Sequence, residues 1–159
     1  MNTSKLKDYA PKARQDFINA VTRQAARYGI TKDHIDPIEE KGDVVIINGN
    51  AFPKQLATQR KKLEERIQRQ GLSQVIELIA YTWFNRIAAI RFMELHNYLD
   101  HSFRVLSHPE EENQFEILLQ AEHVELAGLN KDQVIELRLD ATRDEELYRL
   151  LLLAQCHAL

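Results

Sequence analysis

The sequence predicts a mainly α fold, a helical bundle-like domain with a small β-hairpin near residues 43–52. Three observations carry that reading. Apolar residues recur at three- and four-residue spacing through several separate segments, which is the period of a half-buried helix. One β-branched run, Val44-Val45-Ile46-Ile47, is followed at once by Asn48-Gly49, a pair that accepts the positive φ angles of a tight hairpin turn. The chain has 159 residues, 44% of them hydrophobic. That is enough for one compact domain burying roughly 70% of the surface of the unfolded chain, and residues 1–159 are read as a single domain.

The elements follow in order. Pro11 suits a first helical turn, and Phe17, Ile18, Val21, Ala25 and Tyr28 then line one face until Gly29 stops the helix. Lys12, Arg14, Arg23 and Arg27 fall on its wet side. In the hairpin the return strand is only Asn50, Ala51 and Phe52 before Pro53 removes a donor, so the sheet is small, with Phe52 expected against the helical core. Residues 54–70 read as a second helix with a thin apolar stripe of Leu56, Leu63 and Ile67, ended by Gly71. Ser73 is a natural cap for a third helix over about 74–97. Its apolar residues keep to no single stripe, which predicts a helix enclosed by neighbours on most sides. A loop follows, with a short apolar patch of Phe103, Val105 and Leu106. Phe115, Leu118, Leu119 and Leu126 suggest another helix, VIELRLD over 130–140 fits either period and is read as helix, and a Leu-rich helix runs from about Arg143. That last segment has no capping Gly or polar tail, and the expectation is that it continues in a longer chain.

Composition excludes several classes. The lone Cys156 cannot form an internal disulfide, and the opening MNTSKLKDYAPK lacks a secretory apolar stretch, so the expected compartment is the cytoplasm. The apolar run Leu78–Phe84 is far below the ~20 residues of a membrane span. His34, His96, His101, His108, His123 and His157 show no ligand-pair spacing, so no metal is expected. The five glycines include no pair spaced to cradle a phosphate, and the acidic runs Glu110–Glu112 and Asp144–Glu146 read as solvated rather than catalytic. No catalytic, cofactor-binding or metal residue is assigned.

The net charge of -3 conceals an asymmetry. Residues 1–91 carry +6 and residues 92–159 carry -9. The most cationic element is the helix of 54–70, and Lys54, Arg60, Lys61, Lys62, Arg66 and Arg69 are its candidate nucleic-acid contacts, although a solvated basic face has the same composition. In the third helix, Asn85, Arg86, Arg91 and Glu94 interrupt an otherwise apolar stretch. An enclosed guanidinium must be paired, and Arg91 with Glu94 is an i,i+3 candidate. These four are read as structural or docking residues.

The stretch YTWFNRIAAIRFMELHNYL, followed by FRVLSHP, resembles the amino-terminal helical region of adenine-specific DNA methyltransferases. With the ending LLLLAQCHAL, the chain looks like that region of the methyltransferase of BREX phage-exclusion systems, the PglX family. The resemblance implies a parent enzyme, restriction-modification-like in chemistry, that moves a methyl group from S-adenosylmethionine to adenine in DNA. The donor loop and the Asn-Pro-Pro-aromatic motif of such enzymes have no counterpart here, since Pro11, Pro37, Pro53 and Pro109 are all isolated. The implied cofactor therefore belongs to the parent and none to this segment. Implied partners are DNA, held weakly and without sequence preference by this segment alone, the rest of the methyltransferase chain, other BREX subunits and phage DNA-mimic inhibitors. The rival reading is a stand-alone helical protein-interaction module with no DNA role.

Overall fold

The computed structural model describes residues 3–159, with side chains from Tyr9 onward. Met1 and Asn2, where the leader reading begins, lie outside them. The described residues form six α-helices, two short 3-10 turns and one three-stranded antiparallel sheet, a mainly α fold with a small β element. The chain divides into two compact units, Met1–Phe84 and Asn85–Leu159, with the boundary inside the third helix. No helix is long and apolar enough to cross a membrane among the described residues.

The first unit opens with α1, Thr3–Arg27. Pro11 lies inside this helix rather than in its first turn, which corrects the predicted start. A proline there forgoes one backbone bond, a loss confined to the single turn around it. Gly29 ends the helix at φ +70°, a left-handed conformation for which a side chain is strained. A Cβ at Gly29 would also stand 2.7 Å from Ile47 Cγ2 and 2.8 Å from Asp36 Oδ2, so the position is closed to other residues on two counts.

The sheet comprises β1, Glu39–Lys41, β2, Val44–Ile47, and β3, Asn50–Pro53, in the order β1-β2-β3. The predicted hairpin is β2–β3, closed by Asn48 and Gly49 at φ +50° and +75°, with Ile47 opposite Asn50. The third strand, β1, was not expected, because Glu39-Glu40-Lys41 is charged and exposed and carries no alternating apolar signal. Val45 and Ile47 point inward and are fully buried, as the period of two requires. Phe52 is half-buried against Tyr28, ring centroids 5.5 Å apart and edge to face.

Helix α2, Gln55–Gln70, ends at Gly71, whose N–H donates to Ile67 O. Leu63 and Ile67 pack with Ile18, Val21, Ile35 and Leu72 around buried Ala25, Ile30 and Ile76. Helix α3 runs Leu72–Leu95. Ser73 therefore lies within the first turn and does not cap it. The predicted enclosure also fails: Leu78, Tyr81, Phe92 and Leu95 are all exposed, although Val75, Ala80 and Ile90 on the opposite side are buried.

The second unit begins with the end of α3. The helix expected around 115–126 shrinks to α4, Glu116–Leu119, followed by a 3-10 turn over Ala121–His123. Helix α5, Lys131–Leu139, is capped by Asn130, whose side-chain oxygen accepts from Gln133 N at 3.2 Å. Helix α6, Asp144–Ala158, carries Asp144, Glu145 and Glu146 in its first turn, where the helix dipole favours negative charge. Val105, Ile117, Val134, Leu137, Leu147 and Leu151 are buried to within 2% and form the core of this unit.

Candidate functional site

The candidate residues lie on two elements, the cationic helix α2 and the polar exceptions of α3. At 100° per residue, Lys54, Lys61, Lys62 and Arg69 fall within about 100° of arc on α2, and Arg66 lies about 40° beyond Lys62. Lys54, Lys61, Lys62 and Arg69 are exposed and Arg66 is half-buried. Lys61 and Lys62 have no ion-pair partner within 4.0 Å among the described residues, whereas Lys54 stands 4.0 Å from Glu40. Arg66 Nε donates to Gln70 Oε1 at 3.3 Å, and Arg69 Nε to the carbonyl of Glu65 at 3.2 Å, both within the helix itself.

Arg60 is different and must be removed from the phosphate-facing set. It sits about 160° around the helix from Lys62 and is only 3% exposed. Its Nε donates to Tyr28 O at 2.7 Å, one terminal nitrogen donates to Asp36 O at 2.5 Å, and the other pairs with Glu64 at 3.0 Å. The side chain thus closes the end of α1 and the following loop against α2. A buried guanidinium persists because carbonyls and a carboxylate occupy its donors, and those donors cannot also reach a phosphate. The sequence shows six cations on one helix, and only the angular position distinguishes the one that turns inward.

On α3, the buried polar group is Glu94, with a side chain 0% exposed, while its partner Arg91 is 46% exposed. This reverses the expected burial of Arg91. One Glu94 oxygen accepts from Val105 N and Leu106 N, each at 2.9 Å; the other accepts from Ser107 Oγ at 3.1 Å and from Arg91. The carboxylate therefore fixes the loop after α3 by accepting from the backbone of Val105 and Leu106, within the short apolar patch read there. Tyr148 Oη donates to Val105 O at 3.2 Å from α6, so the same loop residue is held from both sides. Burial, and secondarily the Glu94 charge, pushes the Tyr148 pKa up to about 12. Asn85 is exposed and Arg86 half-buried. Burial raises the Cys156 thiol pKa, opposed by the nearby Arg86 charge. Such a thiol is a poor nucleophile.

Among the described residues, no three His, Cys, Asp or Glu side chains converge to hold a metal ion. Arg60 and Glu64 border an open cleft of about 690 Å³ together with Asp36 and Lys61, while Glu94 binds the 103–107 loop. These features describe a mainly helical chain with buried polar clasps and an exposed cationic arc on α2.

Comparison with known proteins narrows that class. No family model matches the chain. Over its whole length it is 45% identical to the adenine-specific methyltransferase BrxX of Escherichia coli O9:H4 (strain HS). It is 32% identical to the adenine-specific methyltransferase PglX of Lacticaseibacillus casei (strain Zhang), again over its whole length. The chain is thus related end to end to a segment of the BrxX and PglX adenine-specific methyltransferases, as the α3 sequence indicated. It spans 14% and 15% of the length of these two relatives.

Proposed function

We propose that this chain acts as the amino-terminal accessory domain of an S-adenosylmethionine-dependent, adenine-specific DNA methyltransferase in bacterial anti-phage defence. In this reading it packs on the catalytic domain and helps to hold DNA. The observation that carries the proposal is similarity along the whole chain to a small part of two adenine-specific methyltransferases. The methyl donor and the target base belong to the remainder of such a polypeptide.

The DNA-facing element is the cationic arc of α2. Lys61, Lys62 and Arg69 present three charges that can meet phosphates together, with Lys54 and Arg66 at the margins. Long cations suit phosphates rather than base edges, so binding is sequence-insensitive and electrostatic. Fluorescence-anisotropy titration of a short duplex at several salt concentrations tests this. Three phosphate contacts correspond to a log-log salt slope near about -3, and Lys61→Glu combined with Lys62→Glu should weaken binding at least tenfold. A salt-independent affinity, or an unchanged affinity in the double variant, removes α2 from the DNA-facing side and favours protein partners such as sister defence subunits or phage DNA mimics.

A further inference from the structure

Resting on the DNA-holding role given above to α2, we propose that Glu65 limits the grip of that helix. Its carboxylate stands among the phosphate-facing cations, repels phosphates, and keeps the contact weak and reversible.

Helix α2 carries two acids, and they are placed differently. Glu64 pairs with buried Arg60 at 3.0 Å and belongs to the clasp between α1 and α2. Glu65 is exposed, and among the described residues its carboxylate has no cation within 4.0 Å. At 100° per residue, Lys61 flanks Glu65 by about 40° on one side, and Arg69 and Lys62 flank it by about 40° and 60° on the other. Along the axis the three cations lie within about 6 Å of it. Leu63 and Ile67, which pack into the core, are each about 160° away. Glu65 thus occupies the outermost line of the helix, inside the cationic arc.

No structural duty accounts for an acid at this place. It lies beyond the first turn of α2, where the helix dipole would favour one. Only its backbone is engaged, the carbonyl accepting from Arg69 Nε at 3.2 Å. Against DNA its effect has one sign. In the free chain the carboxylate favours the charges of Lys61 and Arg69, four residues to either side, and those cations must leave it to meet phosphates. In the complex it stands beside the phosphates that they hold. A unit charge about 6 Å from a phosphate in water changes affinity roughly threefold, and two phosphates about tenfold. Nonspecific contacts serve sliding and hopping along DNA, which an uninterrupted cationic helix would slow. A like charge set against the partner is the general device that restrains such engagement.

The test is fluorescence anisotropy of a short duplex with the 159-residue chain and its Glu65→Gln variant, on both sides of about 0.1 M salt. Glu65→Gln should bind about three- to tenfold tighter at low salt, with an unchanged urea midpoint. The gain should shrink as salt takes the screening length below about 10 Å. Asp33→Asn, at an exposed acid without an ion pair among the described residues, makes the same change in net charge and should alter affinity less than twofold. Equal tightening in the two variants overturns the proposal, because net charge alone then explains the gain. Weaker binding by Glu65→Gln also overturns it, since the carboxylate then accepts from DNA, as it would from a cytosine amine. Lys61→Glu with Lys62→Glu is titrated in parallel. If that double variant binds as tightly as the parent chain, the DNA-facing reading of α2 falls. If it binds more weakly while Glu65→Gln leaves affinity unchanged, the present inference alone falls.

Discussion

Glu94 is the residue whose loss should damage the second unit most. Truncating it to Ala removes the shared acceptor of Val105 N and Leu106 N, both of which bond to one carboxylate oxygen at 2.9 Å. An unsatisfied buried backbone donor costs roughly 1–3 kcal/mol. Val105 is fully buried, so its N–H has no access to water in compensation. Two such donors, together with the small cavity left by the side chain, give about 3–5 kcal/mol, the scale observed when one partner of a buried charge pair is removed. Arg91 contributes little to that sum, because its half-exposed guanidinium can turn to solvent, and Arg91→Ala should cost under about 1 kcal/mol. Glu94→Gln lies between, at roughly 1–2 kcal/mol, since its remaining oxygen can still accept from both backbone groups while its amide faces Arg91. Urea melts followed by circular dichroism give the totals, and hydrogen exchange at the Val105 and Leu106 amides gives the local effect. An Arg91→Ala variant as unstable as Glu94→Ala, or unchanged amide exchange in Glu94→Ala, would refute the reasoning.

The same arithmetic applies to Arg60, whose replacement by Ala strands the carbonyls of Tyr28 and Asp36 and should cost about 3 kcal/mol, against under about 0.5 for exposed Lys62→Ala. If the two melts coincide, Arg60 is not a buried clasp. Tyr148 predicts a pH dependence: burial pushes its pKa up to about 12 in the fold from an ordinary value of 10.0. Above the lower value the unfolded chain gives up the phenol proton first, so stability falls between about pH 10 and 12. Tyr148→Phe should flatten that decline, and an identical alkaline profile in the variant would show the phenol to be solvated. Finally, the isolated chain should show no saturable heat with S-adenosylmethionine up to about 100 μM, an affinity of roughly -5.5 kcal/mol, and a measured isotherm below that concentration would contradict the placing of the donor site elsewhere.

Much of the fold is legible in the sequence because its signals are local. The turn at Asn48-Gly49 and the stops at Gly29 and Gly71 each act within a few residues, and the α2 boundaries lie within one residue of those read from the sequence. Strand β1 is not legible, since Glu39–Lys41 pairs through its backbone while its side chains stay wet. The start of α1 is missed because Pro11 reads as a first-turn residue, yet a proline also fits a long helix at the expense of one bond.

The candidate site divides along the same line. That α2 is cationic is visible in composition, whereas the inward turn of Arg60 depends on carbonyls from Tyr28 and Asp36, 32 and 24 residues away in sequence. The Arg91–Glu94 pair is legible from i,i+3 spacing. Which member is buried is set by the 103–107 loop folding onto Glu94, a contact between segments that no window of sequence displays. The exposure of Leu78, Tyr81, Phe92 and Leu95 is not legible either, because apolar residues elsewhere on α3, such as Ile90 and Val75, leave no single stripe and suggest enclosure.

We propose that this chain serves adenine methylation without performing it. Transfer of a labelled methyl group from S-adenosylmethionine to duplex DNA, quantified as N6-methyladenine, tests this with the isolated chain, a longer methyltransferase polypeptide that carries it, and that polypeptide lacking residues 1–159. The account predicts no transfer by the isolated chain, activity in the longer polypeptide, and at least a tenfold loss when residues 1–159 are removed. Full activity of the shortened polypeptide, or transfer by the isolated chain, would contradict it.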